Sequence, residues 1–210
     1  GRLFRLLISG LCLYKPKLSV RYFLIQKGKS KMSDSTFEDY VRVMQDFDHS
    51  MFTLRANLSS TKIKAAIKSV IGGPVPKRGF CDTYANKSVA WMSPDELLIT
   101  VDGPESVVIY ADLQKALEGQ HALLADVSDA RAVFTLKGSQ GLEVLAKLSP
   151  MDFHPMQFKV GSFTRTRIAQ VAGAVFRVDA ETIVLICFRS VQQYMFSLLC
   201  DAARPGANVF

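Results

Sequence analysis

A chain of 210 residues can hold one domain with a sizeable core or two very small ones, and 49% hydrophobic residues exclude a disordered polymer. The net charge of +7 suggests a polyanionic partner, yet residues 1–31 hold eight basic residues and no acid, leaving 18 basic against 19 acidic residues from Met32 onward. The body is therefore nearly neutral, which removes the electrostatic argument for binding nucleic acid or a membrane surface.

Residues 1–31 are expected to be a translated upstream leader, with residues 32–210 forming a single domain. Lys27-Gly28-Lys29 back-translates to purine-rich codons of the kind that precede a bacterial start, and the text changes to "MSDSTFEDY" at Met32. A targeting peptide and a membrane anchor are the alternatives. The longest apolar run, Leu6 to Tyr14, falls short of the ~20 residues of a spanning helix, and no small-residue cleavage pattern follows it. Cys12 lies in this leader, while Cys81, Cys187 and Cys200 are widely spaced, as expected of reduced buried thiols rather than a metal site or disulfide framework.

Ser35 and Glu38 stand at capping-box spacing, and Phe37, Tyr40, Val41 and Met44 make a helical stripe, which predicts a first helix through "SDSTFEDYVRVMQDF". "SMFTLRANL" reads as a strand. "STKIKAAIKSVIGGP" is an amphipathic helix with Ile63, Ala66, Ile67, Val70 and Ile71 on one face, a solvated lysine face opposite, and a Gly72-Gly73-Pro74 stop. Strands follow in "RGFCDTYA", "KSVAWM" and "ELLITVD", then a helix in "ESVVIYADLQKALEG" and two strands in "HALLADVSDARAVFTLKG". Ser139 is placed to cap the helix "SQGLEVLAKLS". "SFTRTRIAQVAGAVFRV" and "TIVLICF" read as strands joined near Asp179. Ser190 and Gln193 form a second capping box before a last helix with Val191, Tyr194, Met195, Leu198 and Leu199 inward. The order predicts an α+β fold: a mostly antiparallel sheet with packed helices and ferredoxin-like, split-βαβ elements.

No dinucleotide, phosphate-loop, nucleophile-elbow or zincin motif occurs, and "GGPVPKRG" follows a helix rather than a strand, so it reads as a plain loop. His49 and His121 lie near turns without ligands at metal spacing, and read as solvated or capping residues. The stretch "SPMDFHP", Ser149 to Pro155, puts Asp152 and His154 one residue apart, where an extended chain turns both to one face, as an acid/base pair requires. The alternative is a proline-fixed corner in which Asp152 accepts backbone N–H groups and His154 faces solvent. With no nucleophile, metal or third orienting group evident, the residues themselves favour the corner.

Five ordered segments, "AWMSPDELLI", "LADVSDARAVFTLKG", "VLAKLSPMDFHPMQF", "TRTRIAQV" and "FRSVQQYMFSLL", resemble the gamma subunit of bacterial heterotetrameric sarcosine oxidase from about Trp91 to the end of the chain. That family in turn is similar to the folate-binding aminomethyltransferases, including the T-protein of the glycine cleavage system. The resemblance implies a fold like their folate-binding domain, with Asp152 at their folate-associated aspartate, although Ser149-Pro150-Met151 replaces the usual Thr-Thr-Asn. It further implies a complex of alpha, beta, gamma and delta chains that demethylates sarcosine oxidatively to glycine, releasing formaldehyde or passing the one-carbon unit to tetrahydrofolate. FAD, FMN, NAD, tetrahydrofolate and zinc are then expected in the partner subunits and none in this cytoplasmic, cofactor-free chain, with no metal, nucleic acid or membrane contact of its own. Trp91 and Phe153 are the candidate aromatic anchors of its subunit interface, with ordinary core as the alternative for Trp91. The other functional reading is a free-standing aminomethyltransferase-like enzyme with Asp152 as acid/base and Arg165 or Arg167 gripping the folate glutamate.

Overall fold

A computed structural model describes residues 36–38, 41–47, 49–205 and 209. The leader 1–31 and Ser35 and Tyr40 of the expected first helix lie outside the described residues. Within them, eleven strands form two antiparallel sheets. The first sheet contains β3 (His49–Ala56), β4 (Cys81–Tyr84), β5 (Lys87–Ser93), β6 (Glu96–Asp102) and β7 (Ala122–Asp126), in the order β4-β5-β6-β3-β7. The second contains β1 (Thr36–Phe37), β2 (Arg42–Asp46), β8 (Arg131–Lys137), β9 (Phe163–Ile168), β10 (Val171–Arg177) and β11 (Thr182–Phe188), in the order β1-β2-β8-β11-β10-β9. The described helices are α1 (Thr61–Ile71), α2 (Ser106–Ala116), α3 (Gly141–Leu148) and α4 (Gln192–Ala202).

Strand alternation divides the core into three layers. Phe52 and Leu54 of β3 and Leu97, Ile99 and Val101 of β6 pack under α1 and α2. Phe134 and Leu136 of β8, with Val175 and Leu185, pack under α3 and α4. The residues between, Met51 and Leu98 from one sheet and Val133, Ala174, Phe176 and Ile186 from the other, meet in a third cluster between the sheets. The architecture is helix, sheet, sheet, helix. The single sheet expected from sequence becomes two, so β8 is buried on both faces: Val133 and Thr135, which alternate with Phe134 and Leu136, are covered as well.

The expected first helix is instead strand: β1 and β2 occupy its described part. Val41 and Val43 are buried to either side of exposed Arg42, and Val43 lies opposite Leu136 in the β2–β8 ladder. A period of two and a strand partner outweigh the local helix signals, since propensity is the weaker constraint. The two serine caps differ too. The residues preceding α3 and α4 are Gln140 and Val191, neither with a side-chain capping bond, and α4 follows a 3₁₀ turn at Arg189–Val191. After α1, Gly72 takes φ 97° and returns its N–H to Lys68, as the Gly-Gly-Pro stop predicts. Gly73 has the Tyr84 ring so close that a Cβ would lie 2.0 Å from it.

"SFTRTRIAQVAGAVFRV" breaks into β9 and β10 through a two-residue hairpin, with Ile168 opposite Val171 and Ala169 at φ 49°. That conformation costs an L-residue about 1–2 kcal/mol. Replacing Ala169 by Gly is expected to raise stability by about 0.5–1 kcal/mol in denaturant unfolding, the net of relieved strain and added chain entropy.

His49, where the chain enters the first sheet from the second, lies between two carboxylates. Its Nε2 is 2.8 Å from Asp46 Oδ2 on β2, and its Nδ1 engages Asp102 Oδ1 on β6. This corrects its reading as a solvated turn residue. The Asp46 hydrogen bond, helped by both negative charges and the Asp102 contact and opposed by burial, pushes the His49 pKa up to about 9. A folded-state value above the ordinary 6.5 means the contribution is full below pH 6.5 and disappears as pH rises through about 9. With Asp102 half-exposed and screened, stability is expected to fall by about 1–2 kcal/mol between pH 6 and pH 9.5, and His49→Gln to flatten that part of the profile, read from urea midpoints.

Candidate functional site

The corner after α3 spends its polar groups on its own backbone. Asp152 is exposed, and its Oδ1 accepts the His154 backbone N–H at 2.8 Å. The Nδ1 of His154 accepts the Met156 N–H at 3.3 Å, and its carbonyl accepts from Gln157 and Phe158, both at 2.9 Å. Ser149 Oγ accepts the Met151 N–H and lies 3.1 Å from Thr166 Oγ1 on β9. The two aromatics point the other way. Phe153 is 0% exposed and meets Phe158 edge-to-face at 5.1 Å within the core of the second sheet. Phe153 is therefore core, which corrects its expected place as a surface anchor. Trp91 is half-buried with the Arg78 guanidinium 5.7 Å over its ring.

Arg165 and Arg167 lie on β9 on the face opposite Thr166 and Ile168. The corner packs on the Thr166 side, so strand alternation directs these arginines away from it. Arg165 instead reaches across to the first sheet and donates to the Met92 carbonyl at 3.4 Å. There it joins residues that no sequence window connects. A cleft of about 250 Å³ at the end of the inter-sheet layer is lined by Arg55, Glu96, Arg131, Arg165 and Phe188, among others. Glu96, 7% exposed, pairs with Arg55 at 3.1 Å, and the Arg131 guanidinium lies 5.6 Å over the Phe188 ring. Burial holds the Arg131 pKa below its ordinary value; the positive charge of Arg165 acts in the same direction, and Glu96 opposes both. Arg167 does not line the cleft.

Burial pushes the thiols of Cys81 and Cys187 up to about 12 and about 11, far from a reactive thiolate. Among the described residues, no group of three or more His, Cys, Asp or Glu side chains is arranged to hold a metal ion, and no helix is long and apolar enough to cross a membrane.

The model of the sarcosine oxidase gamma subunit family matches residues 55–205. The chain belongs to that family. The match begins at Arg55, well before the segments that carry the resemblance in the sequence. Sarcosine oxidase gamma subunits of Corynebacterium sp. strain P-1 and strain U-96 are 27% and 28% identical to it, over 69% and 71% of this chain and 71% and 72% of their own lengths. A chain of the heterotetrameric sarcosine oxidase from Corynebacterium sp. U-96, solved in complex with pyrrole 2-carboxylate, superposes with a TM-score of 0.74 at 25% identity, over 84% of this chain and 92% of that one. The glycine cleavage aminomethyltransferase T of Bartonella henselae shares the fold alone, with a TM-score of 0.57 at 10% identity over 80% of this chain and 47% of that one. The α+β class and its likeness to the aminomethyltransferase fold therefore agree with the sequence reading.

Deleting the inward and outward halves of the corner separates their roles. Phe153→Ala is expected to cost about 3–5 kcal/mol in urea unfolding, the cost of a large cavity. Asp152→Ala is expected to cost about 0.5–1.5 kcal/mol, the value of a turn hydrogen bond.

Proposed function

We propose that this chain is the accessory, non-catalytic gamma subunit of a cytoplasmic heterotetrameric sarcosine oxidase, held by alpha, beta and delta subunits that carry FAD, FMN, NAD, zinc and the tetrahydrofolate site. The complex oxidises the N-methyl group of sarcosine with O₂ and water to give glycine, hydrogen peroxide and formaldehyde, or passes the one-carbon unit to tetrahydrofolate. The observation that carries this reading is the superposition on nearly the whole of one chain of a heterotetrameric sarcosine oxidase.

The geometry supports an accessory role. A general acid or base needs a carboxylate within reach of the reacting atom and an environment that tunes it. Asp152 is exposed, and the hydrogen bond from the His154 N–H ties its Oδ1 to the local turn. The free-standing folate enzyme requires Asp152 and an arginine on one ligand, whereas the corner and Arg165 occupy opposite faces of β9.

Two measurements separate these readings. In the co-expressed, purified complex, Asp152→Ala is expected to leave sarcosine-dependent peroxide formation within about 2-fold of the parent, since only a turn contact is removed; a loss of 100-fold or more, in the range of a missing acid/base catalyst, would overturn the accessory role. The full chain alone is expected to show neither peroxide formation nor calorimetric binding of tetrahydrofolate. Micromolar folate binding abolished by Asp152→Ala would establish the free-standing enzyme instead.

A further inference from the structure

Three guanidinium groups line the cleft at the Arg55 end of β3, against one carboxylate. Glu96 pairs with Arg55 at 3.1 Å and its charge also favours the Arg131 cation, so three guanidinium groups share one carboxylate and the lining keeps an excess of positive charge. Two other clefts among the described residues are balanced differently. The one of about 600 Å³ beside Pro94 and Leu123 faces Arg55 with Asp95, and the one of about 170 Å³ over His49 includes Asp102.

Three guanidinium groups around one carboxylate at the edge of a buried layer repel one another more than Glu96 alone offsets, which favours a second anion in the space. Burial and the Arg165 charge act against the Arg131 cation, Glu96 favours it, and its guanidinium lies over the Phe188 ring. Phe188 itself is 54% exposed, an aromatic face left open at the mouth of the cleft. Cross-strand register produces this arrangement: Arg131 lies opposite Phe188, and Arg165 opposite Ala174, whose small side chain leaves the floor open between them. A planar guanidinium presents paired N–H donors that match a carboxylate, and Arg55 already donates through one nitrogen to Glu96 in this cleft.

We propose that this cleft is a binding site for a small carboxylate solute, whose carboxylate is gripped by Arg131 and Arg165 while its body lies against the Phe188 ring. A volume of about 250 Å³ is below that of drug-sized pockets, which suits a ligand of a few carbon atoms. The cleft contains neither Asp152 nor the other residues of its corner.

Calorimetric titration of the full chain with glutarate at low, fixed ionic strength tests the proposal. Saturable binding is expected, weakened about tenfold or more by Arg131→Met and by Arg165→Met, as for loss of a charge-assisted bidentate contact. Arg167→Gln removes the same charge two residues along the same strand, outside the cleft, and is expected to change the affinity less than about 3-fold because screening weakens distant exposed charges. Glu96→Gln is expected to tighten binding by freeing Arg55, an opposite sign that general damage to the fold cannot produce. Arg165 is exposed, so Arg165→Met keeps the test decisive should Arg131→Met fail to fold. Absence of saturable binding, or equal weakening by all three arginine variants, overturns the proposal.

Discussion

The contact between the inner faces of the two sheets is the constraint on which the remaining architecture depends. Each sheet already carries helices on its outer face, so its inner face must be covered by something other than water. Met51, Leu98, Val133, Ala174, Phe176 and Ile186 provide that cover for each other. The consequence is local and visible in β8, where five consecutive residues, Ala132 to Leu136, are buried. The ends of the layer cannot be apolar, because the strands run out into solvent there. His49 between Asp46 and Asp102 closes the layer where β3 begins, and Arg55 with Glu96 closes it near where β3 ends. The charged groups of this chain are thus arranged by the layer they border.

What could be read from sequence was what short windows contain. The amphipathic face of α1, the Gly72-Gly73-Pro74 stop and the neighbouring strands "RGFCDTYA" and "KSVAWM" each announce themselves within a dozen residues, and the structure keeps them. Three features were not legible, for different reasons. β2 carries helix-like spacing, but Val43 finds a partner 93 residues away in Leu136, and that pairing decides its conformation. The turn between β9 and β10 is Ala169-Gln170, without the glycine or asparagine that usually marks a residue at positive φ. The second sheet left only an indirect signature: runs such as "ELLITVD" and "TIVLICF" are apolar on both faces, which says that both are covered but not by what.

The same distinction holds for the candidate sites. Asp152 and His154 could be read as a corner because the groups that satisfy them, the N–H groups of His154 and Met156, are their immediate neighbours. The arginine cleft could not be read, since Arg55, Glu96, Arg131 and Arg165 come from four strands and converge only through the ladders that align Arg55 with Glu96 and Arg131 with Phe188. Arg165 and Arg167 entered the sequence reading as equals. The structure separates them, with Arg165 reaching the Met92 carbonyl and Arg167 lying outside the cleft.

A TM-score of 0.57 at 10% identity shows that this scaffold persists when most of its residues change. The persistence is intelligible if the requirement on most positions is only to be apolar and of suitable size on the correct strand face. Chemistry is more demanding, because it needs particular atoms at particular distances, and so it can be lost or gained at one place without disturbing the layers. β9 shows how. Thr166 on one face contacts Ser149 of the corner, while Arg165 on the other faces the cleft. Because a strand's alternate residues belong to different environments, selection on one face leaves the other nearly untouched. A scaffold of two sheets can in this way keep its shape while the two faces of one strand serve different surroundings.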